Sequence, residues 1–240
     1  MDWRDEGILL TVRRHGESAA IIDVFTAEHG RHAGVVRGGA SRRMAPLLQP
    51  GAQIAVEWRA RLQEHLGAYR VEPVRSRAAT LMADGDCLAA VGSVAALLTA
   101  YLGEREPHPD FYAATVTLMD LIGTDADWLS AYVGWELMLL SELGFPLSLS
   151  SCASTGTTDD LVWVSPRTGH AVSAAAGTPY ADRLLPLPPF LTGGTIDRQG
   201  LVDGLALTSH FLTKWAGPAF GSTDMPNARA RFADRLSRSI

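Results

Sequence analysis

The hydrophobic pattern changes its period near Ala78, and that change narrows the folds open to the chain. Before it, apolar residues come in short β-branched runs or alternate with polar ones. Residues 8–12, 20–25 and 32–36 are of the first kind. Residues 53–58 are of the second, with Ile54, Val56 and Trp58 on one face and Gln53, Ala55 and Glu57 on the other. Residues 67–71 repeat the alternation, with Tyr69 and Val71 inward. Turn signals separate the runs at His15-Gly16, Glu28-His29-Gly30, Gly38-Gly39 and Pro50-Gly51. Five short strands in about 75 residues predict a small closed or partly open barrel, because closure removes exposed edges. An SH3-like barrel fits this pattern nearly as well as a five-stranded OB-fold.

After Ala78 the period becomes helical. Leu88, Val91, Ala95, Leu98 and Leu102 follow it, as do Phe111, Ala114, Leu118, Leu121 and Ile122, between an N-cap at Asp110 and Gly123. A third helix over 128–143 is apolar on nearly every side, which predicts a central place in a bundle. Gly144 and Pro146 end it. Two more helices are expected over 198–215 and 227–237. In the last, Ala228, Phe232 and Leu236 would dock, leaving Arg229, Arg231, Arg235 and Arg238 to solvent. Strands first and helices afterwards give an α+β chain of two modules, 1–77 and 78–240, rather than a βαβ sheet.

The 240 residues suffice for two small cores, and 47% hydrophobic with 20% charged residues describes a globular protein. The start, MDWRDEG, is polar and lacks the apolar stretch of a secretory signal. The longest uncharged run, residues 87–103, falls short of a membrane span and contains Gly92, Ser93 and Thr99, so it reads as a buried helix. Cys87 and Cys152 are the only cysteines, which fits a reducing, cytoplasmic setting.

The charge is unevenly spread. Residues 1–77 hold 12 Arg and 9 acids, a balance of +3, whereas the remainder carries -8 of the total -5. The basic module is therefore the candidate for a polyanion. Its densest cluster is VVRGGASRR, where Arg37, Arg42 and Arg43 flank Gly38-Gly39. Arginine forks suit phosphate and release its counterions, and glycines let a loop follow an irregular backbone. Arg13 and Arg14 after the first strand, and Arg59 and Arg61 around the end of the fourth, extend the same basic face. Arg4, Arg70, Arg75 and Arg77 are weaker candidates. Trp58 and Tyr69 lie on apolar faces and read as core, so binding is expected to rest on phosphate contacts without sequence preference.

Residues 152–177 read as a hairpin, with strands at 161–164 and 170–173 around Ser165-Pro166-Arg167-Thr168-Gly169. Hairpins with a cysteine knuckle at each end hold zinc, but one Cys and one His do not complete a tetrahedral site. No nucleophile elbow, P-loop, HExxH or GxGxxG is present. Asp159-Asp160 reads as solvated charge, and nothing in the spacing of His15, His29 and His32 with Asp23 supports a phosphodiesterase. No catalysis and no cofactor are expected.

The whole chain from about residue 4 resembles the RecO family of bacterial DNA repair proteins. The resemblance is carried by EGILLTVRRHGES (6–18), IIDVFTAEHGRHAGVVRGGASRR (21–43), LLQPGAQIAVEW (47–58), WELMLLSELGFPLSLSSCA (135–153) and LVWVSPRTGHAVS (161–173), with PLPPFL (186–191) and HFLTKW (210–215) in support. It implies an N-terminal OB-fold and a helical domain. It also implies a recombination mediator that binds single- and double-stranded DNA, anneals complementary strands, contacts the tail of single-strand-binding protein and, with RecR, helps load RecA. Such a protein works in the cytoplasm at the nucleoid. An acidic tail with an apolar end needs a groove with a cation, and Arg105, Arg183, Lys214 and Arg198 are the helical-domain candidates. Some members of the family carry a four-cysteine zinc knuckle. Here Thr155, Ser173 and Ala176 stand with Cys152, so residues 148–182 are expected to keep the hairpin without metal.

Overall fold

In the computed structural model, residues 1–221 and 224–239 are described. Five strands, β1 (Asp2–His15), β2 (Ala19–Thr26), β3 (Gly30–Val36), β4 (Gln53–Arg59) and β5 (Ala68–Arg75), form a closed barrel in the order β1-β2-β3-β5-β4. All neighbours are antiparallel except β3 and β5, which pair in parallel at Val35↔Ala68 and Val36↔Tyr69. This is the OB-fold order, and it settles the choice against an SH3-like barrel. The interior is filled by Leu9, Ile22, Val24, Val36, Ile54, Val56, Trp58 and Tyr69.

β1 starts at Asp2, well before the apolar run that marks it in the sequence. Its first half pairs with β4 from Asp2↔Arg59 to Ile8↔Gln53, and its second half pairs with β2 from Gly7↔Thr26 to His15↔Ala19. A bulge between Leu9 and Thr11 lets one strand serve both neighbours. The outer half alternates between exposed and partly buried residues, which hides it from a search for apolar runs.

The first compact unit comprises Met1–Thr124 with Pro226–Phe232, so three helices belong with the barrel: α1 (Ala78–Ala83), α2 (Gly85–Tyr101) and α3 (Pro109–Leu121). On α2 the buried stripe is Cys87, Val91, Val94, Ala95 and Leu98, whereas Leu88 is exposed. Asp84 caps α2 by accepting from Asp86 N at 2.7 Å. His108, not Asp110, occupies the N-cap position of α3, because Pro109 pre-sets the first helical residue. α3 packs on β2, with Phe25 meeting Phe111 and Tyr112 at ring separations of 6.3 and 5.5 Å, and the Tyr112 hydroxyl donates to Glu6 O at 3.1 Å. Gly30 allows the Glu106 backbone to come close: its φ is +61° and a Cβ there would lie 1.9 Å from Glu106 O.

Arg77 joins β5 to α1 from a buried position. It donates from Nε to Asp120 Oδ1 (2.8 Å), from Nη2 to the same oxygen (2.5 Å) and to Gln53 Oε1 (3.0 Å), and from Nη1 to Gly51 O (3.0 Å). One guanidinium thus ties α3 to β4 and to the turn before it.

The rest of the chain from Asp125 forms the second unit. It contains α4 (Trp128–Glu142), a three-stranded sheet of β6 (Leu161–Val164), β7 (Ala171–Ser173) and β8 (Leu185–Pro186), one-turn α5 (Ala174–Gly177), and α6 (Arg198–Phe211). A π turn over Leu212–Ala216 and the short α7 (Gly217–Ala219) follow. α4 packs on α6 around Glu136, which is fully buried and accepts from the Tyr132 hydroxyl (2.9 Å) and the Thr208 hydroxyl (2.6 Å). In the closing helix α8 (Asn227–Ser239), Phe232 and Leu236 are buried as expected, but so is Arg229. The i, i+3, i+7 spacing of 229, 232 and 236 puts the arginine on the apolar face. Arg231, Arg235 and Arg238 remain exposed.

Candidate nucleic-acid interface

β3 ends at Val36, and residues 37–48 leave the barrel through tight turns. Gly39 N donates to Val36 O (3.1 Å), Ser41 N to Gly38 O (3.0 Å) and Met44 N to Ser41 O (3.1 Å). Gly38 has φ +71°, a conformation that glycine takes without strain. The segment is therefore folded onto itself, and it presents Arg37, Arg42 and Arg43 to solvent. It lies against the β1–β2 turn, since Ala40 N donates to Ser18 O at 3.0 Å. Arg13 and Arg14 are exposed at the end of β1, and the cross-strand ladder Arg14–Ala20–Val36 leads to the residue before Arg37. Five of the seven arginines singled out by sequence thus gather on adjacent turns.

The neighbouring wall adds Arg59 and Arg70. With Arg37 they line an open groove of about 990 Å³, floored by Val36, Met44 and Tyr69. Arg70, a weaker candidate from sequence, lies between inward Tyr69 and Val71, so it points out of the barrel, and it is among the residues that line the groove. Arg61 is exposed on the β4–β5 connection. The groove also holds acids, Asp2 and Glu57. Glu57 accepts from Arg59 at 2.5 Å and from Arg4 at 3.2 Å. Burial favours the neutral acid, but the two guanidiniums outweigh it and hold the Glu57 carboxyl below its ordinary value. Arg59 is 68% exposed, so this pairing is weak and exchangeable.

Next to the groove, and sharing Tyr69 with its lining, is an aromatic cluster. Trp3 stacks on His29 with ring centroids 3.9 Å apart and on Trp58 at 5.7 Å, while His32 meets Trp3, Trp58 and Tyr69 edge-on. Sequence reasoning assigns Trp58 and Tyr69 to the core and names His29 and His32, but it does not bring Trp3 or either histidine into one cluster with them. The signal was the Trp3↔Trp58 pair, visible only once β1 is extended to Asp2. His29 Nδ1 lies 3.0 Å from Asp5, and Asp23 is held by Arg31 at 2.5 Å. Each carboxylate is thus engaged separately.

His32 Nδ1 lies 2.9 Å from Ala33 O, which assigns the proton of the neutral ring to Nδ1. Burial first, then the nearby Arg105 charge, push the imidazole down to about 4. The unfolded chain takes up this proton near its ordinary value of 6.5, so stability is complete above that pH and falls as pH drops from 6.5 toward 4. Water in the adjoining cavity screens part of the effect, and about 1 kcal/mol is expected to be lost between pH 7 and pH 5. Denaturant titrations at the two pH values should show this loss in the wild type and a smaller one in His32→Gln. Equal losses would remove His32 as the cause.

The partner-tail cations distribute differently from the expectation. Arg105 belongs to the first compact unit rather than to a helical one. Its backbone φ is +66°, and its guanidinium donates to Gln63 O and to His65 O, so it braces the β4–β5 connection. Arg183 is exposed beside Asp182 (3.8 Å), and Lys214 and Arg198 are exposed in the second unit.

The hairpin residues do not fit zinc. Cys152 Sγ accepts from Ser173 N (3.3 Å) and Ser173 Oγ (3.5 Å), and Ala176 offers no ligand atom. Hydrogen bonds from the Ser173 and Thr155 side chains and the Ser173 backbone lower the thiol to about 6. Among the described residues no group of three or more His, Cys, Asp or Glu side chains is placed to hold a metal ion. No helix among them is long and apolar enough to cross a membrane.

Two family models match the chain: Recombination protein O N terminal over residues 1–77, and Recombination protein O C terminal over residues 82–224. Relatives named DNA repair protein RecO align over the whole length. That of Ruegeria sp. (strain TM1040) is 53% identical over 241 residues, covering 100% of both chains. That of Jannaschia sp. (strain CCS1) is 53% identical over 100% of this chain and 98% of its own, and that of Dinoroseobacter shibae is 51% identical over 100% and 99%.

Proposed function

Since the chain belongs to the RecO family of DNA repair and recombination proteins, we propose that it binds single- and double-stranded DNA without sequence preference through the arginine-lined end of its barrel. The reading extends to annealing of complementary strands and, with RecR and the tail of single-strand-binding protein, to loading of RecA, all without catalysis and at the nucleoid in the cytoplasm. The observation that carries it is the convergence of Arg37, Arg59 and Arg70 on one open groove, with Arg13, Arg14, Arg42 and Arg43 on the adjoining turns. Guanidiniums on exposed stems suit phosphates, and an open groove admits a chain of any length. Annealing fits a surface that holds backbones and leaves base edges free.

Asp2 and Glu57 in the same groove favour a second reading, an adaptor whose barrel serves protein partners and has little DNA affinity of its own. Fluorescence anisotropy of a labelled single-stranded oligonucleotide over a range of salt separates the two. DNA binding predicts an affinity that falls steeply with salt, by about tenfold or more between 50 and 200 mM. Absence of binding even at the lowest salt selects the adaptor.

A further inference from the structure

Resting on that reading, we infer that Glu57 is a positioning residue of the arginine groove, an internal stand-in for phosphate that holds Arg4 and Arg59 while no DNA is bound and recaptures them as a strand leaves. Strand register builds the arrangement. Arg4 of β1 lies opposite Glu57 of β4, and Glu57 lies opposite Arg70 of β5. Glu57 falls between the inward residues Val56 and Trp58, so this row is on the outer face of the barrel. One carboxylate therefore stands between two arginines, with a third, Arg59, two residues along its own strand. Glu57 and Arg70 line both the open groove and a smaller cleft of about 150 Å³, which Arg4 also lines.

Exposure divides these groups by role. The Glu57 side chain is 14% exposed, whereas those of Arg4 and Arg59 are 78% and 68% exposed. The sheet thus fixes the anion, and the cations reach it from solvent. Its two oxygens are used separately, Oε1 by Arg59 at 2.5 Å and Oε2 by Arg4 at 3.2 Å. A phosphodiester offers the same pattern, one negative charge over two free oxygens, and a guanidinium accepts either partner. Each pair is weak by itself, so a backbone that also meets Arg37 and Arg70 can displace both.

Displacement leaves a charged carboxylate, mostly out of water, beside the incoming phosphates. The groove therefore binds DNA less tightly than its arginines alone would. A departing strand is replaced by a group already in place, so release is eased as well. A surface that must let go of strands in order to anneal them is served by such a competitor. Glu57 acts on phosphates through Arg4 and Arg59 and reads no base, so the effect is the same for single strands and duplexes.

Removing the charge should tighten binding, the opposite of what losing a merely structural side chain does. The test measures affinity by anisotropy over a range of salt, and dissociation by stopped flow, with a labelled oligothymidylate and a duplex of equal length. Glu57→Gln should bind both about fivefold more tightly, chiefly through slower dissociation. Its slope of log affinity against log salt should steepen by about one, because no carboxylate is left to take up a counterion. Glu72→Gln controls for net charge: Glu72 is 68% exposed on the neighbouring strand, 3.6 Å from Arg70, and lines the smaller cleft. It should change affinity by less than about twofold. Unchanged or weaker binding by Glu57→Gln overturns the inference, and so do equal gains in the two variants, which would make net charge the cause. If neither wild type nor Glu57→Gln binds DNA at the lowest salt, the DNA-binding reading itself fails and the inference falls with it.

Discussion

Replacing Arg77 with Ala should destabilise the first compact unit by about 3 kcal/mol, the low end for removing one member of a buried ion pair. The side chain is only 6% exposed and satisfies Asp120, Gly51 O and Gln53 at once. Removing it leaves a buried carbonyl without its donor and a carboxylate half-compensated by Arg75 at 2.5 Å. Arg75 supplies the control. It pairs with the same aspartate but is 56% exposed, so Arg75→Ala should cost under about 1 kcal/mol. Chemical denaturation of the two variants measures the contrast. Equal, small losses would show that α3 is held to the barrel by apolar packing, with the ion network contributing little.

Reversing Arg37, Arg42 and Arg43 to Glu should weaken DNA binding by about two orders of magnitude and lower the slope of log affinity against log salt by about three. The loss should be the same for unrelated sequences, because these side chains reach solvent from turns and none is set against a base-reading element. All three are exposed, so the variant should unfold at the same denaturant concentration as wild type. Wild-type affinity in the triple variant would move the interface away from this loop. Affinity lost with an unchanged salt slope would mean that the loop is required for shape and not for charge.

The barrel was legible because each strand leaves a local mark. Alternation in β4 put Ile54, Val56 and Trp58 inside, as observed, and the glycine pairs marked the turns. The first half of β1 left no such mark. Asp2, Arg4 and Glu6 face solvent on a strand whose inner side packs only in part, so its place depends on pairing with β4, a contact some fifty residues away in sequence. The aromatic cluster was invisible for the same reason. The basic face was legible in composition but not in its partners. Nothing near Arg59 in the sequence announces that Arg4 also comes to Glu57, since that meeting is a product of strand register. In the helices, periodicity found the elements and their buried faces with one residue out of place: on α2 and its C-cap, Val91, Ala95, Leu98 and Leu102 are buried as read, whereas Leu88, which fits the same repeat, is exposed. Arg229 was misread because a long cation on an apolar face looks like a boundary of that face when only its spacing is known.

The seating of α3 on β2 has a consequence for dissecting the molecule. Phe25 is fully buried, and Phe111 and Tyr112 are among the rings that cover it, while Gly30 receives the Glu106 backbone. A fragment cut after Arg77 would carry every residue of the basic surface and every strand of the barrel, yet it would bare an aromatic patch on the outside of β2 and lose the Asp120 partner of its own last residue. Such a piece should be insoluble or self-associating where the sequence alone advertises a tidy module. The smallest part worth expressing runs past the last barrel strand to at least Thr124, and the compact unit also takes in Pro226–Phe232.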